Sequence, residues 1–106
     1  MIADTRERAR ELLLPEAWAM IHSREVGAFL PLESVATVRE LRFNTQQQKR
    51  IDAWMQQAIY GDEASVRGQL ETLLARTGAR EIMATTSTFD VADRAEADAR
   101  LAALFA

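Results

Sequence analysis

Apolar positions recur at helical intervals through most of the chain and at a strand interval in one place. After an apolar stub, Met1 to Ala3, the pair Asp4 and Glu7 has capping-box spacing. Ala9, Leu12, Leu13, Ala17, Met20 and Ile21 then repeat with a helical period as far as about Ser23. Pro15 lies inside that run, where it cannot donate to the Glu11 carbonyl and its ring crowds the turn. The pattern therefore predicts a kink, or two helices meeting at Leu14-Pro15. From Arg24 to Glu33 the period is lost. Gly27 and Pro31 punctuate a stretch that stays apolar at Val26, Phe29, Leu30 and Leu32, and it reads as an apolar loop.

Ser34 is placed to cap a short helix through about Arg42, and Asn44 or Thr45 a longer one to about Gln57. Ile51, Trp54, Met55 and Ala58 share one face of the longer helix, and Gln46-Gln47-Gln48 sits comfortably within it. A brief extended piece, AIYG, follows. Asp62 then reads as the N-cap of a helix striped by Val66, Leu70, Leu73 and Leu74, with Gly78 as a left-handed cap just past its end. Asp90 opens a last helix, with Ala95, Leu101, Ala102, Leu104 and Phe105 among its apolar residues.

The strand period falls in REIMATT, residues 80 to 86. Both alternating sets, Ile82 with Ala84 and Met83 with Thr85, are apolar or small, as in a strand covered on both faces. Such a strand, Glu81 to Thr86, needs neighbours, because an unpaired buried N–H or C=O costs about 1 to 3 kcal/mol. Only Met1 to Ala3 and Ala58 to Tyr60 offer further extended pieces, and both are too short to flank it fully.

Composition adds limits. The 106 residues suit one domain, and 48% hydrophobic with 27% charged content is ordinary for a soluble globular chain. A net charge of -3 and a pI near 5.1 give no electrostatic reason to expect nucleic acid or an anionic membrane as partner. The basic residues alternate with acids, as in RERARE, which describes a solvated face. With no cysteine there is no disulfide, thiolate metal ligand or cysteine nucleophile. The start of the chain has no basic region leading into an apolar stretch of signal-peptide length. No apolar run approaches the roughly 20 residues that span a bilayer. These features place the chain in the cytoplasm.

Two ordered stretches carry a family resemblance. YGDEASVRGQLETLLARTGAREIMATTSTFD, followed by a helix that contains Arg94 and ends LAALF, resembles the C-terminal end of the luciferase-like flavin-dependent monooxygenases, the bacterial luciferase superfamily. There a G-[ST or D]-x-x-x-V-x-x-x-L helix precedes TGA-[DR]-E-[IL]-M-[AV]-T-T, and an Asp opens the final helix. IADTRERARELLLPEAWAM resembles the family's A-[DE]-T-x-E-x-A-R stretch, where a late barrel strand runs into its helix. The resemblance implies an α/β fold: a mainly helical fragment, with a minimal sheet, from the last part of a (β/α)₈ barrel that takes about 250 residues when complete.

On that scheme residues 1 to 106 form a single partial domain. Residues 1 to 23 are a strand stump, of the seventh strand, and its helix; 24 to 43 a lid-like insertion and a short helix; 44 to 78 helices; 79 to 106 the last strand and helix. The family couples reduced flavin, FMN, or in some branches the deazaflavin F420, to oxidation of an organic substrate, with oxygen in the flavin branch. The flavin is gripped mainly from earlier strands that this sequence does not contain, so the resemblance implies a chain inactive by itself with no tightly bound flavin. It also implies a partner, either the missing barrel half or a second copy pairing the edges of residues 81 to 86.

Few side chains stand out as candidate chemistry. Thr85, Thr86 and Ser87 lie at the C-terminal end of the proposed last strand, where barrel sites are assembled, and are candidates for holding a flavin edge or substrate. The simpler reading packs Thr85 inside and lets Thr86 to Thr88 satisfy backbone groups before the last helix. His22, the lone histidine, suits proton transfer near neutral pH, but no Ser-His-Asp or metal-ligand set surrounds it in the sequence, and it reads as a helix-end residue. Asp90, Asp93, Glu96 and Asp98 crowd a helix start, where the dipole favours them.

Trp18, Trp54, Phe29 and Phe105 read as core or interface aromatics before they read as a flavin-stacking box. Neither GxGxxG nor GxxxxGK[ST] occurs. No catalytic or metal-ligating residue is assigned. The other class of reading is a non-catalytic helical interaction or oligomerisation module, with Ile51, Trp54, Met55 and the last helix burying against a partner.

Overall fold

The two extended pieces that are too short to flank a third pair with each other. In the computed structural model, which describes residues 1–105, Ile2 and Gly61 form a parallel β-bridge. Ala3 N–H donates to the Gly61 carbonyl at 3.0 Å and Gly61 N–H to the Met1 carbonyl at 3.1 Å. Met1 N adds a bond to the Ile59 carbonyl at 2.9 Å. Each bridged residue is followed within a few positions by a capped helix.

The helices are α1 (Arg6–Val26), α2 (Val35–Glu40), α3 (Thr45–Gln57), α4 (Glu63–Thr77) and α5 (Val91–Leu104). Capping side chains fix where they start. Ser34, Asn44, Asp62 and Asp90 cap α2 to α5, and Asn44 with Gln47 completes a capping box. At α1 the cap is Thr5, whose hydroxyl accepts from Arg8 N–H, and not Asp4 as the spacing suggests. Asp4 pairs instead with Arg100 at 3.1 Å. Gly27 and Gly78, with φ of 75° and 69°, close α1 and α4 in the left-handed conformation.

The expected break at Pro15 does not occur, for α1 runs through it as one helix to Val26. Proline removes one hydrogen bond, but Pro15 is itself buried, and Leu12 and Leu13 on one side and Ala17 and Ile21 on the other are buried with it. Packing of that face holds both halves in one register across the lost bond.

Two clusters make up the interior. The larger joins Ala9, Leu12, Leu13, Ala17 and Ile21 of α1 to Ile51 and Met55 of α3, closed by Ala3 and Tyr60. The smaller joins Ile2 to Val66 and Leu70 of α4, with Ile59, Leu101 and Leu104 packed against it. Ile51 and Met55 therefore belong to the chain's own core, which corrects the assignment of that stripe to a partner.

The third extended piece departs furthest from expectation. Glu81 to Thr86 forms no helix or turn and joins no ladder, and Ile82 and Met83 are 41% and 88% exposed. Its neighbours explain why. Gly61 turns its N–H toward the Met1 carbonyl and its C=O toward the Ala3 N–H, so by the alternation of extended backbone Tyr60 turns its own toward the opposite edge. There the Tyr60 carbonyl already accepts from Gln69 Nε2 at 2.9 Å and from Arg6 at 3.4 Å. A third strand finds a one-residue edge whose acceptor is taken, and its backbone is better served by water.

Arg67 donates to the Leu104 carbonyl at 2.9 Å and Arg100 pairs with Glu63, so the last turns of α5 lie beside the first turns of α4, and residues 78 to 90 connect the two helices. The molecule is mostly helical with almost no strand.

Candidate functional site

Thr85, Thr86 and Ser87 sit on that connector, and they do not converge. Thr86 is half-buried and the other two are exposed. Ser87 N–H donates to Glu16 Oε2 on α1 at 3.3 Å, and the Thr88 hydroxyl donates to the Asp90 carbonyl ahead of α5. Burial pushes the Glu16 carboxyl above its ordinary range, and the Ser87 N–H partly opposes that shift. Among the described residues the Thr85, Thr86 and Ser87 hydroxyls make no hydrogen bond, and the contact of Ser87 to Glu16 runs through its backbone N–H.

The strand ends carry another group, which the sequence did not single out. Beyond Ala3 and Gly61, Arg6 lays its guanidinium over the Tyr60 ring at 4.3 Å and donates to the Tyr60 hydroxyl at 3.2 Å. Arg100 reaches from α5 to Asp4, Glu63 and, at 3.8 Å, Glu96. The hydrogen bond from Arg100 holds the Glu63 carboxyl below its usual range, and in return Glu63 raises Arg100. Position at the C-terminal ends of parallel strands is where α/β sites form. The donors are largely committed to neighbours, however, and this set chiefly ties α5 to the strand ends. The contacts join residues 54 apart at Arg6 and Tyr60 and 96 apart at Asp4 and Arg100, separations no local motif reveals.

His22 lines a cavity of about 270 Å³ beneath residues 28 to 33, with Pro15, Trp18, Leu30, Pro31 and Glu33. Its ring stacks on Trp18 with centroids 4.7 Å apart, and Trp18 Nε1 donates to Glu33 at 3.1 Å. His22 Nδ1 is buried with no hydrogen-bond partner among the described residues, and Glu25 lies 3.7 Å from it. The nearby Ser23 hydroxyl donates to the Met20 carbonyl at 2.8 Å, so it is committed to its own helix and forms no nucleophile pair with His22.

A larger groove of about 500 Å³ runs between α1, α2 and α3, rimmed by Arg10, Glu11 and Arg39 over a floor of Leu14, Phe43 and Ile51. Arg39 and Arg8 both pair with Glu11, which neutralises part of that rim.

The four large aromatics do not assemble a stacking box. Trp18 meets His22 and Phe43, Trp54 packs against the larger cluster, and Phe29 and Phe105 are exposed. The loop expected to act as a lid is irregular from residue 28 to 34, with Phe29 and Leu30 facing solvent. Among the described residues no group of three or more His, Asp or Glu side chains could hold a metal ion, and no helix is long and apolar enough to cross a membrane. No family model, curated protein or solved structure matches the chain.

Proposed function

We propose that this chain is the C-terminal portion of a luciferase-like flavin-dependent monooxygenase, catalytically incompetent without the rest of the barrel. The observation that supports the reading is the parallel bridge between Ile2 and Gly61, each of which leads into a capped helix. Parallel strands that each lead into a helix are the repeating element of a (β/α)₈ barrel, and the two bridged residues lie in the ADTRERAR and YGDEASV stretches or just ahead of them. The exposed, doubly apolar ribbon at Glu81 to Thr86 fits the same reading, as a strand whose flanking strands belong to another part of the polypeptide. The complete enzyme would use reduced FMN, or F420, on an organic substrate in the cytoplasm, with neither nucleic acid nor membrane as partner.

Mapping the message upstream of the Met1 codon tests this directly. In-frame sequence for earlier barrel strands, with a longer product that changes FMN fluorescence on binding, is the expected result. A message that encodes nothing in frame ahead of Met1 overturns it. A non-catalytic interaction module is the second reading, favoured by the exposed apolar run of Ile82, Met83, Phe89 and Val91.

A further inference from the structure

We infer that residues 81 to 86 form an interface with a second copy of this chain, pairing as antiparallel strands about a two-fold axis at Met83. The segment has no helix, turn or bend, its backbone makes no hydrogen bond to another backbone among the described residues, and Met83 is the most exposed of the large apolar residues at 88%. An exposed unpaired strand is a template for another. What singles out a second copy is self-complementarity. Centred on Met83, the pairing sets Met83 against Met83 of the second copy, Ile82 against Ala84, Glu81 against Thr85 and Arg80 against Thr86. No like charges oppose, and every apolar residue of the segment meets an apolar one.

Other registers fail on one count or both. Centring on Ile82 sets Met83 against Glu81, centring on Ala84 sets Ile82 against Thr86, and centring on Glu81 opposes two carboxylates. Like charges directly opposite are destabilising. A two-fold arrangement uses the same edge of both copies, so that contact is isologous. So short an interface falls below the roughly 1,200 Å² of stable complexes, and the dimer is weak and concentration-dependent.

The inference does not rest on the flavoenzyme reading. A complete barrel would direct the same backbone groups to parallel neighbours, so the dimer is a property of the 106-residue chain by itself.

The absence of cysteine makes the test clean. In the full chain, Met83→Cys brings two thiols together across the axis, at a Cα separation near the 4.5 to 5.5 Å of directly opposed residues, within disulfide range. Thr85→Cys places its thiol against Glu81 and serves as the off-axis control. Expected results are a wild-type mass that rises from 11.9 kDa toward twice that value with concentration, and oxidative cross-linking of Met83→Cys well ahead of Thr85→Cys. Met83→Asp, which opposes two carboxylates, should weaken association by about tenfold or more while leaving the helical circular-dichroism signal intact. A wild-type chain that stays monomeric at the highest attainable concentration overturns the inference. So does a dimer in which Met83→Cys links no faster than Thr85→Cys.

Discussion

Ile51 and Met83 are comparable in bulk and opposite in surroundings. Ile51 is 1% exposed between α1 and α3, so Ile51→Ala leaves a cavity and should cost about 2 to 5 kcal/mol in urea unfolding. Met83→Ala should change stability by less than about 0.5 kcal/mol in the same measurement. The sequence separates these residues only in part. Ile51 follows a helical period with Trp54, Met55 and Ala58, and a period names the buried face. Met83 belongs to a run that is apolar on both faces, which says what the segment could bury against but not whether that surface is present.

Glu16 is a residue of the opposite kind, ordinary in the sequence and unusual in the fold, because its partner Ser87 lies 71 positions away. Its carboxyl is raised by burial. Stability from a raised carboxyl is fully present below the unfolded value and is lost as pH rises through the folded one. Glu16 therefore opposes folding at neutral pH and not below about pH 4. Glu16→Gln keeps an acceptor for the Ser87 N–H. It should stabilise the protein at neutral pH, and that gain should vanish when urea unfolding is repeated in acid.

Helix ends were the most readable elements, because capping is local chemistry. Ser34, Asn44, Asp62, Asp90 and Gly78 each act within four residues of themselves, and each stands where the sequence places it. Asp4 and Pro15 misled for one reason. A distant contact overrides the local preference, the pair with Arg100 in one case and burial beside α3 in the other. Two glycines of α4 isolate the backbone contribution, since a Cβ at either Gly68 or Gly78 would meet nothing within 4 Å. Gly68 is helical, and Gly68→Ala should stabilise by about 0.5 to 1 kcal/mol. Gly78 holds φ at 69°, and Gly78→Ala should cost about 1 to 2 kcal/mol. Thermal midpoints moving in opposite directions would confirm both, and a shared direction would contradict this account of the α4 terminus.

Across the whole molecule the two clusters are unequal, and the inequality falls on α5. Helices α1 and α3 share the larger cluster, whereas α5 buries only Ala97 outright and lends Leu101 and Leu104 to the rim of the smaller one. Its placement lies beyond reach of the sequence: periodicity identifies which face of α5 is apolar, and not what that face packs on. Arg100 ties the last part of α5 to Asp4 and Glu63, and Arg67 holds the Leu104 carbonyl. Since Asp4 is 91% exposed and Glu63 44%, salt screens these links more than it weakens the cores. Amide exchange should therefore find α5 opening first, at a lower free energy than α1 or α3. Arg100→Ala should speed exchange across residues 91 to 104 and leave α1 and α3 unchanged, and added salt should reproduce the effect in the parent chain. Uniform acceleration would mean that α5 and the α1–α3 core unfold as one unit. The ion pairs of Arg100 would then be bystanders, and α5 would be held by Leu101 and Leu104 against the smaller cluster.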